Sequence, residues 1–375
     1  MNCPDVISLT KKLLSFNTIN PPGNEMEVAQ YVGKLLSDSG FEVNYHAYEE
    51  KRLHLVAEKG ISGDAAPLVL SGHFDTVPLG ELSWSENPFS GVIKGDRIYG
   101  RGSSDMKGGL AAMSIAAIEA TKKGSPEGGI RMIFTSGEEM GCHGISQLAS
   151  ACDLGKARAV IVGEPTANHP AIAHKGALYL NATCKGKTAH SSMPELGDNA
   201  IYKAAKAVSG IEKLRFHAEK DPLLGLPTIN VGKIQGGMNI NSVPDHAEFS
   251  IDIRTSSLTP HKTLLERLKH ELGDEVVLET LVDLGAVSNS ESDPFIQMVY
   301  DVCGIDGEST SGPRALPYLT DGSVLQACYG GVPTIILGPG EPAQAHQTDE
   351  YCSIEKIKQA VALYKGIILN RKGEI

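Results

Sequence analysis

Four short apolar runs constrain this chain more than any other feature: PLVLSG (67–72), GIRMIFTS (129–136), ARAVIVG (157–163) and VPTIILG (332–338). Each reads as a buried strand. Helical periodicities separate them, near 108–123 after a Gly-Gly start, near 143–151, and from Ser353 onward. Buried apolar strands joined through helices argue for an α/β domain with a largely parallel sheet. Ahead of them, Val6, Leu9, Leu13 and Phe16 mark one helical face. After the turn sequence NTINPPGN a second helix carries Val28, Val32, Leu35 and Leu36 and closes at Gly40.

Near residue 177 the pattern changes. YLNATCKG alternates, and a helix after Asp198 places Ile201, Ala205 and Val208 on one face. TINVGKIQ, HAEFSIDIRT, a helix after Pro260 and EVVLETLVD complete a β-α-β-β-α-β order. That order predicts a ferredoxin-like α+β insert with an antiparallel sheet over 177–290, dividing the α/β domain into 1–176 and 291–375. Two cores are the natural expectation for 375 residues.

The formal net charge of -11 sets most of the surface against nucleic acid and anionic membranes. No segment approaches the roughly 20 apolar residues that span a bilayer, and the first residues lack an apolar signal core, so a cytoplasmic protein is expected. Seven dispersed cysteines without a C-x-x-C pair suit free thiols in a reducing compartment. Any metal would then be held by histidine and carboxylate.

In open α/β sheets, ligands sit beyond the carboxyl ends of the strands. Here those ends carry His73 and Asp75, then Glu138 and Glu139, then Glu164, and a loop that reaches His346. Asp105 lies in GRGSSDMKGG, between an expected hairpin and a helix start. This ligand set suits zinc, manganese or cobalt. Five donors exceed the needs of one catalytic zinc and suit two ions roughly 3.5–4 Å apart, bridged by a carboxylate and a water. Asp75, two residues beyond His73 on extended chain, can point the same way and orient the imidazole. The plainer alternative is that these are solvated loop residues, since they lie far apart and no H-E-x-x-H signature exists. Periodicity leaves both readings open. A loose G-x-G-x-x-A match at 338–343 places two prolines and Glu341 where a phosphate would approach, and no G-x-S-x-G elbow exists.

The strings SGHFDTVP, YGRGSSDMKGGLAA, TSGEEMGCHG, VGEPT, GKTAHSSMPELGDNAI and GPGEPAQAHQTDEY add a further line. Together they closely resemble the metallopeptidase and amidohydrolase family of acetylornithine deacetylase, succinyl-diaminopimelate desuccinylase, aminoacylase and glutamate carboxypeptidase, over about residues 5–370. The resemblance implies two zinc ions per subunit, replaceable by cobalt or manganese. His73, Asp105 and Glu164 would hold one, and Asp105, Glu139 and His346 the other, with Asp105 bridging. It also implies Glu138 as general base, Asp75 behind His73, and a cis peptide between Asp105 and Met106.

In the family the insert is a lid and dimerisation domain, which implies a homodimer. His190 resembles the lid histidine that stabilises the oxyanion, from a partner chain. Asn241 and Arg254 resemble substrate contacts, Arg254 at the α-carboxylate, where a guanidinium can bind through two hydrogen bonds. A sheet-end salt bridge is the alternative for Arg254. Desuccinylases of the family carry an arginine pair where this chain has His174-Lys175 ahead of Gly176, and that departure argues mildly for acetylornithine-type deacetylation. The substrate is thus expected to be a small N-acyl amino acid, with desuccinylase or exopeptidase activity as alternatives and a non-catalytic dimeric protein as a third. His54, His143, His169, His217, His246, His261 and His270 are read as surface or structural.

Overall fold

Leu68–His73 is buried at all six positions, as is Ile130–Thr135 beside it. Apolar side chains on both faces need cover on both faces, the condition of an interior α/β strand. The computed structural model describes residues 4–122, 124–216, 218–305 and 315–370, which leaves His217 outside. It shows a six-stranded sheet in the order 42–49, 52–59, 130–135, 68–73, 159–162, 334–336. The last four run parallel and are the four apolar runs of the sequence. The first two form an antiparallel hairpin on the edge, which the sequence reading did not include. The outermost strand alternates exposed and half-buried residues and has no apolar run to mark it.

Helix Gly108–Ala120 is buried along nearly its whole length. Its approach to the sheet depends on Gly109, where a Cβ would lie 2.4 Å from the Gly163 carbonyl oxygen. The helix start is thereby drawn against the carboxyl end of Ala159–Val162. The first helix, Val6–Leu14, is capped by Asp5, which accepts from the Ile7 and Ser8 N–H groups. It closes at Ser15, so Phe16 falls just past the helix rather than on its face.

The chain divides into two compact units. It passes from one to the other at 173/174 and 287/288, three residues ahead of each expected boundary, and residues 315–319 also belong to the second unit. That return rests on a bond from the Lys175 N–H to the Leu316 carbonyl, 3.0 Å, a pairing with no sequence signature. The second unit is built on an antiparallel sheet in the order 228–236, 246–255, 176–185, 276–284, with helices Ala200–Lys213 and His261–Leu272 in the β-α-β-β-α-β order. Alternate residues Leu178, Leu180, Ala182 and Phe249, Ile251, Ile253 meet Ala204, Ile211, Leu264 and Leu268 in one core. Among the described residues no helix is long and apolar enough to cross a membrane, and the six described cysteines are free thiols.

Candidate metal centre

Parallel strands present their carboxyl ends on one edge of the sheet, so residues distant in sequence can meet there. His73 ends its strand, Glu138 and Glu139 lie on the turn after Ile130–Thr135, and Glu164 follows Ala159–Val162. Asp105 comes from the irregular turn Ser103–Lys107, which contains a cis Asp105–Met106 peptide. His346 enters from the loop after Thr334–Ile336 with φ 64.

These side chains form two overlapping triads, His73–Asp105–Glu164 and Asp105–Glu139–His346, with ligand atoms in each within 4.8 Å of one another. His73 Nε2 lies 3.1 Å from Asp105 Oδ1 and 3.4 Å from Glu164 Oε1. His346 Nε2 lies 3.5 Å from Asp105 Oδ2 and 3.2 Å from Glu139 Oε2. Asp105 therefore offers one oxygen to each triad.

Among the described residues no lysine or arginine pairs with Asp105, Glu138, Glu139 or Glu164. Burial pushes Glu164 up to about 8, with the Asp105 charge adding to it. Hydrogen bonds that His346 donates to Asp105 and Glu139 push it up to about 10. Although burial alone would lower it, Glu164 and Asp105 raise His73 well above its ordinary range. The cluster thus draws positive charge onto its imidazoles, and Glu139 Oε1 is buried without a hydrogen-bond partner. A set of oxygen and imidazole donors with excess buried negative charge fits divalent cations.

Glu138 belongs to neither triad. It is buried beside them, and burial pushes its carboxyl well above the usual range, against the pull of His73 and with the repulsion of Glu164 and Glu139. The Cys142 thiol donates to Glu138 Oε1 at 3.4 Å. Asp321, absent from the sequence reading, closes a group with these two. Its Oδ2 accepts from Thr135 Oγ1 at 2.6 Å, and burial pushes it up to about 6.

Asp75 reaches His73 mainly through its backbone. Its carbonyl oxygen lies 2.9 Å from His73 Nδ1, whereas its carboxylate lies 3.7 Å away. The carboxylate instead accepts the Gly137, Glu138 and Glu139 N–H groups at 2.9, 3.2 and 3.2 Å. Asp105 is held from behind by Glu350, which also escaped the sequence reading. Its fully buried carboxylate accepts from the Gly102, Ser104 and Asp105 N–H groups at 2.9, 2.8 and 3.0 Å, and from Arg101 Nη1 at 2.8 Å. Burial pushes Glu350 up to about 7 against these donors. The signal was available only as a Glu four residues after His346 in the same motif.

In the second unit, His190 is exposed, and its Nδ1 accepts the Ser192 N–H at 3.1 Å, which leaves the ring proton on Nε2. The neighbouring Ser191 N–H donates to the Asn241 carbonyl at 3.0 Å, so His190 and Asn241 lie on adjoining segments. Arg254 makes the salt bridge foreseen as its alternative: Nε and Nη2 reach Asp252 at 2.8 and 3.1 Å, and Nη2 also donates to the Tyr179 hydroxyl at 2.5 Å. His54 is a buried structural histidine. Burial pushes it down to about 4, and its Nδ1 accepts the Ser136 N–H at 3.2 Å.

Comparison with known proteins adds a second line. The description "Peptidase family M20/M25/M40" matches residues 69–370. A Staphylococcus epidermidis protein described as "probable succinyl-diaminopimelate desuccinylase" is 31% identical, over 97% of this chain and 96% of its own. An acetylornithine deacetylase of Myxococcus xanthus is also 31% identical, over 88% of this chain and 84% of its own. Among solved structures, an M20 family metallo-carboxypeptidase of Sulfolobus solfataricus superposes with a TM-score of 0.79 at 20% identity, covering 98% of this chain and 99% of that one.

Removing Glu350 tests how the centre is held. Glu350→Ala leaves Arg101 and three buried N–H groups without their acceptor, and should lower unfolding free energy by about 3–5 kcal/mol in denaturant titrations. Glu350→Gln, which keeps an acceptor in place, should lose clearly less. Equal stability of wild type and Glu350→Ala would show that the turn is held by other means.

Proposed function

The chain belongs to peptidase family M20/M25/M40 and is a metal-dependent amidohydrolase, and on that footing we propose that it hydrolyses the amide bond of N-acylated amino acids, N-acetylornithine foremost. The observation that carries this reading is the shared carboxylate Asp105 between two triads, with a buried Glu138 beside them. His73, Asp105 and Glu164 would hold one ion and Asp105, Glu139 and His346 the other. Bound there, divalent cations, zinc by ligand type with cobalt or manganese as substitutes, would supply the acidity that makes hydroxide available near neutral pH.

Glu138 takes the proton as the oxygen attacks the acyl carbonyl and returns it to the leaving amine, serving first as base and then as acid. His190, with its proton on Nε2, donates to the oxyanion. Arg254 binds the α-carboxylate of the substrate, its plane fixed by Asp252 and Tyr179, and Asn241 makes a separate substrate contact. The products are a carboxylate, acetate in the favoured case, and a free amino acid.

N-succinyl substrates are a second reading, favoured by the description of the Staphylococcus relative. Against it, the position of the desuccinylase arginine pair holds His174, which is buried, and Lys175, whose Nζ is engaged by the Leu226 carbonyl at 2.9 Å. A homodimer through the second unit is supported by its edge strand Thr228–Gly236 and by Met238 and Ile240, 85% and 99% exposed.

Glu138→Gln keeps the size of the side chain and removes its basicity. It should retain fold and metal while kcat falls roughly 10²- to 10⁴-fold on a panel of N-acetylornithine, N-succinyl-diaminopimelate, N-acetylmethionine and dipeptides. Near-normal turnover by the metal-loaded variant would move the base elsewhere, Glu139 being the next candidate.

His190 should act from the neighbouring subunit. Alone, His190→Ala should cost roughly 10²- to 10³-fold in kcat with metal content kept. Mixing it with Glu138→Gln under subunit exchange should restore activity towards about a quarter of wild type, because a mixed dimer holds one complete site. Demonstrated exchange without recovery would place His190 in its own chain's reaction.

A further inference from the structure

The turn NTINPPGN takes no part in the chemistry above, yet Asn20 is only 3% exposed and is bonded twice to the segment that carries Asp75. Its N–H donates to the Thr76 carbonyl at 2.8 Å, and its side-chain Nδ2 donates to Asp75 Oδ2 at 2.9 Å. Around it, the Thr76 N–H donates to the Thr18 carbonyl at 3.0 Å and Thr18 Oγ1 to the Phe74 carbonyl at 2.7 Å. The far side of the turn is equally fixed. Arg52 and Glu25, both buried, pair through two bonds of 2.9 and 2.7 Å, and at Gly23 (φ +82) a Cβ would lie 2.4 Å from Arg52 Nε. The amide of Asn20 therefore projects from a rigid base.

Asp75 uses both oxygens on the loop opposite. Oδ1 accepts from Gly137 and Glu138, and Oδ2 accepts from Glu139 and from Asn20. Rotation about the bond to this carboxylate would break three backbone bonds at once, and Asn20 is the side chain that opposes the rotation. We propose that Asn20 is a positioning residue for amide hydrolysis: through Asp75 it sets the backbone of Gly137–Glu139, and with it the proton-transfer group Glu138. This inference rests on the reading of Glu138 as the base. Its scale follows from geometry, since misplacing a reacting group by about 1 Å can cost on the order of 10²-fold in rate.

Two variants and one background test it. Asn20→Ala removes the donor, and Asn20→Asp places an acceptor against an acceptor at unchanged size. Both should keep two metal ions per chain and leave KM within about 3-fold while kcat falls about 10- to 10²-fold. In the Glu138→Gln background, Asn20→Ala should cost less than about 3-fold more, because the two residues act through one group. Hydrogen exchange by mass spectrometry should show the 136–142 segment opening about 10-fold faster in Asn20→Ala, with Leu68–His73 unchanged. Unaltered exchange in that segment, an unchanged kcat, or losses that multiply in full in the double variant would overturn the proposal. If Glu138→Gln alone is fully active, the reading of the base has failed, and the exchange measurement decides the role of Asn20 by itself.

Discussion

Everything at this centre depends on keeping like charges together. Asp105, Glu138, Glu139 and Glu164 converge with the buried His73 and the exposed His346 as the imidazoles beside them. Carboxylates so placed repel one another and are poorly solvated, and a folded chain tolerates that only if surrounding bonds over-determine the arrangement or cations neutralise it. The chain supplies the first remedy and is suited to the second. The donor set fits two divalent ions, and the turns bearing Asp105 and Glu138–Glu139 are tied down by buried carboxylates.

The ties follow one design. Glu350 accepts three backbone N–H groups from the turn bearing Asp105, and Asp75 accepts three from the turn bearing Glu138 and Glu139. Each carboxylate is itself fixed by a side-chain donor, Arg101 from just ahead of the same turn in one case and Asn20 from a distant segment in the other. Backbone N–H groups bonded in this way lend partial positive charge to a strongly negative site while holding the loop geometry. Two turns that would otherwise be mobile are thereby made part of the scaffold.

How much of this the sequence discloses depends on the physics involved. The parallel strands were legible because two-faced burial demands continuous apolar runs, as in LVLSG and AVIV. The β-α-β-β-α-β insert was legible because its strands alternate. The edge hairpin was not, since 42–49 is mostly polar and half-exposed. Strand-end residues could be nominated from the sheet rule, but their grouping into two triads is a tertiary fact that only the family resemblance suggested in advance. Arg101 and Glu350 were invisible for a different reason: charged residues are read as surface, and here both are buried because each satisfies the other. The Asp252–Arg254 pair was within reach, two residues apart on one strand face.

The central claim is that Asp105 joins two metal sites, and metal stoichiometry measures it most directly. Wild-type protein stripped of metal and titrated with zinc should bind two ions per chain. Asp105→Asn should weaken both ions together, whereas Glu164→Gln and His346→Ala should each weaken one and spare the other. Retention of two tight ions by Asp105→Asn, or a single ion in the wild type, would contradict the account.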